Sequence, residues 1–122
     1  MLQQDNEIEI LRGSTKTIEY TVLDQDGNFV DLTGSTLFLT VKRDMSDTIP
    51  VFVKTNKYSG PDVQITNPKG GLCRFTIRPA DTQSLDIRQY YFDIWVILSN
   101  GNRYPVIPPT VFDVQAGVTS IP

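Results

Sequence analysis

The stretch "DLTGSTLFLTVKRD", residues 31–44, decides the fold because apolar and polar side chains alternate along it. A period of two is typical of a β-strand that buries one face. The aliphatic residues on one face of this strand are Leu37, Leu39 and Val41. Phe38 is the exception, because it lies among the polar residues of the opposite face. We therefore predict a strand over 36–44 and ask what Phe38 contacts.

The same alternation recurs along the chain, with turn signals between the runs. "DQDGN", "NPKGG" and "SNGN" combine Gly, Asn, Asp and Pro, which are the residues that tight turns favour. "SNGN" predicts a hairpin with a two-residue turn, because Asn-Gly suits that geometry. One helical turn is predicted at 79–85, "PADTQSL". The predicted strands lie near 7–12, 15–24, 36–44, 50–55, 62–66, 72–79, 89–99 and 102–114.

These elements indicate an all-β fold, an immunoglobulin-like antiparallel β-sandwich of about 7–8 strands. A single sheet could not bury enough side chains to offset the loss of chain entropy. The alternative to the sandwich is a small β-barrel. Tyr90, two residues before Phe92, stands where such folds place a tyrosine whose hydroxyl bonds to backbone; ordinary core packing is the other interpretation. Cys73 is the only cysteine, so no intrachain disulfide forms, and its place in "LCRFTI" indicates a small buried apolar residue.

The length of 122 residues suits one domain. We predict a single β-sandwich over 1–122, with its core at about 7–114. The termini, 1–6 and 115–122, are expected to be arms that order on a neighbour, or frayed ends. Neither a signal peptide nor a transmembrane segment is expected, because no basic n-region or long apolar run is found.

Few residues offer catalytic or metal-binding chemistry. Histidine is absent, so the commonest general base and metal ligand is missing. The aspartates fall at predicted turns, where they cap backbone, and "DQDGN" lacks the ligand spacing of a calcium-binding EF-hand loop. The net charge of −3 without a basic cluster argues against nucleic-acid binding. We expect no enzyme activity, no cofactor and no metal site.

The candidate functional residues are apolar side chains on outward faces. In "YYFDIWVIL", 90–98, the outward positions include aromatic and aliphatic residues. In "PVFVKT", either Phe52 or its two valine neighbours must point away from the core. A contiguous exposed patch would mark a partner, whereas cover by the N-terminal segment or a loop would make these residues core. The candidate protein–protein contacts are Trp95, Tyr91, Ile97 and Phe38.

The order of motifs resembles small β-sandwich domains of tailed-bacteriophage structural proteins, in particular the N-terminal domain of the baseplate upper protein family. The shared features are Gly13, "DG" followed by "VDLTG" at 26–34, "VKR" at 41–43, "PADT" at 79–82, and "YYFDIWV" at 90–96 followed by an "NG" hairpin. The resemblance covers about residues 8 to 114. It implies an immunoglobulin-like virion domain that joins or decorates other structural proteins, and it carries over no catalytic residue.

The first functional hypothesis is therefore a non-enzymatic bacteriophage structural protein located in the virion. Capsid decoration, neck or collar, and tail or baseplate attachment all remain open. Longer members of that family continue past this domain into further regions, whereas the present sequence stops there. A stand-alone small component is therefore expected. Its partners would be other virion proteins, including further copies of the chain, and neither nucleic acid nor a membrane. The alternative is a carbohydrate-binding module in which Trp95 and Tyr91 stack on a host polysaccharide. A carboxylate hydrolase has the least support.

Overall fold

The computed structural model describes residues 6–58 and 60–119. It contains eight strands and one helical turn, and each predicted strand is confirmed within a few residues. The helical turn α1 (Pro79–Thr82) is shorter than predicted. The strands are β1 (Ile8–Leu11), β2 (Lys16–Thr21), β3 (Thr36–Lys42), β4 (Phe52–Thr55), β5 (Val63–Asn67), β6 (Leu72–Ile77), β7 (Arg88–Ile97) and β8 (Arg103–Gln115).

The strands form two sheets, as the predicted sandwich requires. The larger sheet has the order β1-β8-β7-β3-β4, and the smaller one has the order β2-β6-β5. This division matches the immunoglobulin arrangement, in which strands C, F and G share one sheet and B, E and D share the other. The fold is therefore an immunoglobulin-like β-sandwich, and the one cysteine forms no disulfide.

One strand pair departs from the predicted antiparallel arrangement. β1 runs parallel to β8, with Ile8 opposite Phe112 and Leu11 opposite Gln115. The next strand, β2, belongs to the other sheet. No tight hairpin therefore ties β1 to an antiparallel neighbour, and a parallel pair becomes possible. The pairing includes Gln115, so the predicted C-terminal arm begins one residue too early; residues 1–5 and 120–122 of the predicted arms lie outside the described part of the chain.

The core lies between the sheets and is built from the inward face of each strand. Leu37, Leu39 and Val41 are fully buried, as the opening pattern predicts. Phe112 links strands of the five-stranded sheet along its inner face, since its ring meets those of Phe52 and Phe92 edge to face at 5.7 and 6.3 Å. Such aromatic pairs add to the stabilisation that burial alone provides.

Tyr90 forms the corner that the sequence suggested. Its ring is buried, and its hydroxyl donates a hydrogen bond of 2.9 Å to the backbone carbonyl of Asp86. This is the tyrosine corner of immunoglobulin-like folds, in which a side chain near the start of a strand satisfies a carbonyl a few residues upstream. The interpretation of Tyr90 as core packing alone is wrong.

The hairpin between β7 and β8 has a different turn from the predicted one. The Gly101 N–H donates to the Leu98 carbonyl, and the Leu98 N–H donates to the Asn102 carbonyl. The loop therefore holds three residues, and Gly101 has a φ of +89°. This is the three-residue hairpin closed by a glycine bulge, and the predicted two-residue turn is wrong.

β8 carries three prolines, which an interior strand would not accept. Pro105, Pro108 and Pro109 all precede Phe112, where the pairing with β1 begins. Over the described residues, this half of β8 pairs only with β7. The prolines therefore lie where β1 forms no backbone hydrogen bonds with β8. Their missing N–H groups are tolerated there.

Candidate binding surface

The solvent-facing side of the five-stranded sheet, which we call the outer face, receives all four predicted contact residues. β3 and β7 pair so that Phe38 lies opposite Trp95 and Lys42 lies opposite Tyr91. Trp95 is 41% exposed, so no described residue covers it. Phe38, Tyr91 and Ile97 are half-buried, and Ile97 lies at the hairpin end of β7. The structure therefore brings the four residues onto one face but exposes them unequally.

A groove crosses the outer face beside Trp95 and has a volume of about 330 Å³. The indole Nε1 of Trp95 donates a hydrogen bond of 3.1 Å to Oδ2 of Asp93, and this bond holds the ring in one orientation. Asp93 lies opposite Thr40 in the strand pair, so a carboxylate and a hydroxyl are neighbours in the middle of the groove. The lining side chains are those of Thr40, Lys42, Met45, Tyr91, Asp93, Trp95 and Pro109.

A second exposed feature, which we call the edge patch, consists of Ile49, Val51, Val53 and Tyr58 on and around β4. These side chains are 80%, 37%, 41% and 70% exposed, respectively. The sequence left open which residues of "PVFVKT" point outward. Phe52 packs against the core, and Val51 and Val53 face solvent.

The solvent-facing side of the three-stranded sheet is different, because the residues paired across its strands are polar. Glu19 of β2 lies opposite Arg74 of β6, and their side chains form an ion pair at 3.2 Å. Gln64 of β5 lies on the other side of Arg74. Such a surface is satisfied by water and by its own charges, so the apolar exposure on the sheets belongs to the five-stranded side.

Some of the aspartates cap backbone, as the sequence analysis predicts, whereas others, such as Asp62, pair with lysine or arginine side chains instead. Asp24 accepts hydrogen bonds from the N–H groups of Asp26 and Asn28, and Asp81 accepts one from the N–H of Arg78. Asp31 accepts from both the N–H and the hydroxyl of Thr33, and these bonds lower the pKa of its carboxyl. Among the residues that the structure describes, no three His, Cys, Asp or Glu side chains group in a way that could hold a metal ion.

A buried lysine is the feature that sequence reasoning missed. Lys54 is only 9% exposed, and its Nζ lies 2.9 Å from Asp62 and 2.7 Å from Asp81. Arg78 adds a bond of 2.9 Å to Asp62. Burial lowers the pKa of Lys54, but the hydrogen bonds from its ammonium to the two carboxylates outweigh burial and raise it. The alternation of side chains along β4 could have revealed it. Residues two apart point to the same face of a strand, so an inward Phe52 makes Lys54 inward as well.

Cys73 is the buried apolar residue that the sequence predicts. Its side chain is fully buried, and the thiol donates to the carbonyl of Tyr20 at 3.5 Å. Burial raises the pKa of the Cys73 thiol to about 12. A thiol in this state is neither a nucleophile nor a metal ligand at ordinary pH.

Comparison with known proteins identifies no family for this chain. No protein-family model matches the chain, and no curated protein matches it. Within the described residues, no helix is both long and apolar enough to cross a membrane.

Proposed function

We propose that the chain is a non-enzymatic structural protein of a bacteriophage particle that works through contacts with other particle proteins. The edge patch is the observation that carries this proposal. Single exposed apolar residues are ordinary on protein surfaces, whereas neighbouring ones mark a contact with a partner. The order of the sequence motifs, which resembles that of tailed-bacteriophage domains, is the reason for proposing a bacteriophage particle. Positions in the capsid, neck, tail and baseplate are all compatible with this proposal.

The position of the edge patch fits contact with another β-surface. β4 is the last strand of the five-stranded sheet, and the edge of such a strand offers unpaired backbone groups. Short edge strands and charged side chains that point inward both discourage the addition of a further strand. β4 has only four residues, and Lys54 turns inward to its two carboxylates, whereas the side chain of Val53 is exposed. The proposed partner therefore packs on the exposed valine side chains and does not extend the sheet.

The contact extends from the edge patch toward the middle of the sheet. Val53 lies opposite Thr40, and Thr55 lies opposite Phe38 in the β3–β4 pair. Phe38 therefore joins the edge patch in the proposed contact. Trp95 lies one strand further from the edge, on the groove.

The test uses purified particles of the phage that encodes the chain. Mass spectrometry should detect the wild-type chain in particles. A variant with both Val51→Ser and Val53→Ser should fold with an unchanged melting temperature, because both side chains are exposed, and should fall to below about one-tenth of wild-type incorporation. Leu11→Ser is the matched control, because Leu11 is 51% exposed on β1 at the opposite edge of the sheet. Absence of the wild-type chain from particles, or full incorporation of the double variant, would contradict the proposal.

A further inference from the structure

We propose that the groove on the outer face binds a saccharide, with the ring of Trp95 as the platform on which one sugar stacks. This inference goes beyond the protein contact at the edge patch and concerns a separate part of the same face. It makes Trp95 and Tyr91 ligand-binding residues rather than contacts between subunits.

The Trp95 ring is both exposed and held in one orientation. The ring is exposed, and its Nε1 is held by Asp93 at 3.1 Å. A ring fixed before binding loses little conformational entropy when a ligand arrives. The C–H face of a pyranose is apolar and flat, and it stacks on an aromatic ring while the sugar hydroxyls point to the side. An exposed, oriented indole is therefore suited to a sugar ring.

The groove beside that ring is lined by polar and charged side chains. Asp93 uses Oδ2 for Trp95, and its Oδ1 can accept a hydrogen bond from a sugar hydroxyl. Thr40 and Lys42 also line the groove, and Lys42 takes part in none of the ion pairs between described residues. The centres of protein–protein interfaces are depleted of charged side chains, whereas a polar ligand needs such groups to pair with it. The groove therefore favours a saccharide over a protein.

The groove has an aromatic residue at two points along β7. Tyr91 and Trp95 lie on the same face of β7, four residues apart. At about 3.3 Å per residue, this spacing separates them by about 13 Å along the strand. Met45 and Pro109 add apolar side chains to the lining of the same groove. The groove is thus long enough for a short oligosaccharide that runs along β7 with an aromatic ring near each end.

The experiment uses the fact that Trp95 is the only tryptophan of the chain, so its fluorescence reports on this site alone. The intact chain is applied to an array of bacterial surface oligosaccharides, and the strongest binder is then titrated in solution. A saturable change in Trp95 emission is expected. In isothermal titration, Trp95→Ala should weaken binding by at least about tenfold, as expected for loss of a dominant contact residue, and Tyr91→Ala should weaken it less.

Matched variants separate this site from the edge patch. Tyr58→Ala removes a ring that is 70% exposed on the edge patch and should leave saccharide binding unchanged. Trp95→Phe keeps an aromatic face and should retain most of the binding that Trp95→Ala loses. An array without a binder for the wild-type chain, or equal loss in Tyr58→Ala and Trp95→Ala, overturns the saccharide site. Loss of Trp95→Ala from particles without any saccharide binding would assign the groove to a protein partner instead. Failure of this test leaves the incorporation result at Val51 and Val53 unaffected.

Discussion

At the scale of single residues, two polar side chains anchor this sandwich from inside. The buried Tyr90 ring carries a hydroxyl that would cost free energy if it were unpaired, and the Asp86 carbonyl satisfies it. Lys54 likewise reaches two carboxylates from an inward position on β4. Both residues tie a strand to the segment around α1, so the corner between the sheets is held by specific bonds as well as by packing.

Replacement of Tyr90 by Phe should remove the corner bond and keep the ring. We expect the free energy of unfolding to fall by about 1 kcal/mol, because the Asp86 carbonyl loses its partner. Urea denaturation measures this difference. Tyr104→Phe is the matched control, since Tyr104 is 49% exposed and should change stability little. Equal stability of wild type and Tyr90→Phe would count against the corner.

Replacement of Lys54 by Met should leave Asp62 and Asp81 without their shared cation. Breaking a buried ion pair costs about 3–5 kcal/mol, and the partial exposure of Asp62 reduces this to about 2–4 kcal/mol at neutral pH. Lys57→Met, at an exposed position nearby, should change the free energy of unfolding by less than about 0.5 kcal/mol.

The stabilisation by Lys54 should also depend on pH. The hydrogen bond from Lys54, followed by that from Arg78, lowers the pKa of the Asp62 carboxyl below 3.8. Because the folded-state pKa lies below the unfolded one, this stabilisation is complete well above pH 3.8 and is lost as the pH falls through the folded-state value. The difference between wild type and Lys54→Met should therefore shrink in denaturation curves recorded at about pH 3. A difference that stays constant from pH 7 to pH 3 would refute the ion-pair explanation.

At the scale of elements, the turns show how two glycines with similar backbone geometry differ in importance. Gly27 and Gly71 both have a positive φ, at +82° and +67°. A Cβ on Gly27 would meet nothing within 4 Å, whereas one on Gly71 would lie 2.6 Å from the carbonyl oxygen of Val22. The Gly71 carbonyl also accepts the N–H of Val22. Gly71 thus allows the end of β2 and the turn before β6 to approach closely.

The two alanine variants separate backbone strain from this clash. Gly27→Ala should cost about 1–2 kcal/mol, which is the penalty for a side chain at positive φ. Gly71→Ala should cost more than about 3 kcal/mol, because backbone must also move away from the new Cβ. Chemical denaturation of both variants gives the comparison. Similar losses at the two positions would show that the close approach at Gly71 is not rigid.

The elements were predictable from sequence to the extent that they are local. Alternation locates each strand because burial of one face imposes a period of two, as at Leu37, Leu39 and Val41. The parallel pairing of β1 with β8 and the bond from Lys54 to Asp81 join residues far apart in the chain, so no local pattern encodes them. The hairpin at Gly101 was misjudged for a finer reason, because Asn-Gly serves both the two-residue and the three-residue turn.

The candidate surface was predictable only in part. The sequence predicts that Trp95, Tyr91 and Ile97 point outward from one strand and Phe38 from another, and the pairing of these strands puts all four on one face. Whether each side chain is covered depends on neighbouring strands, which is why Phe38 and Ile97 are half-buried. The bond from Trp95 to Asp93 appears only when side chains are placed in three dimensions, and the same is true of the choice between Phe52 and its two valine neighbours as the exposed residues.

At the scale of the whole molecule, the two sheets present unlike surfaces to solvent. The three-stranded sheet is polar outside, with the ion pair between Glu19 and Arg74 on it. The five-stranded sheet presents the groove at Trp95 and the edge patch around Val53. Among the described residues, the apolar exposure on the sheets is thus confined to the five-stranded side, which is compatible with the proposed attachment through that side.

The most direct test of this attachment is photo-cross-linking in intact particles. A photoreactive phenylalanine analogue replaces Val53 on the edge patch or, as the control, the exposed Thr17 on the outer side of the three-stranded sheet. We expect light to join the chain to another particle protein from position 53 and not from position 17. No cross-linked product from position 53, or equal products from both positions, would contradict attachment through the edge patch.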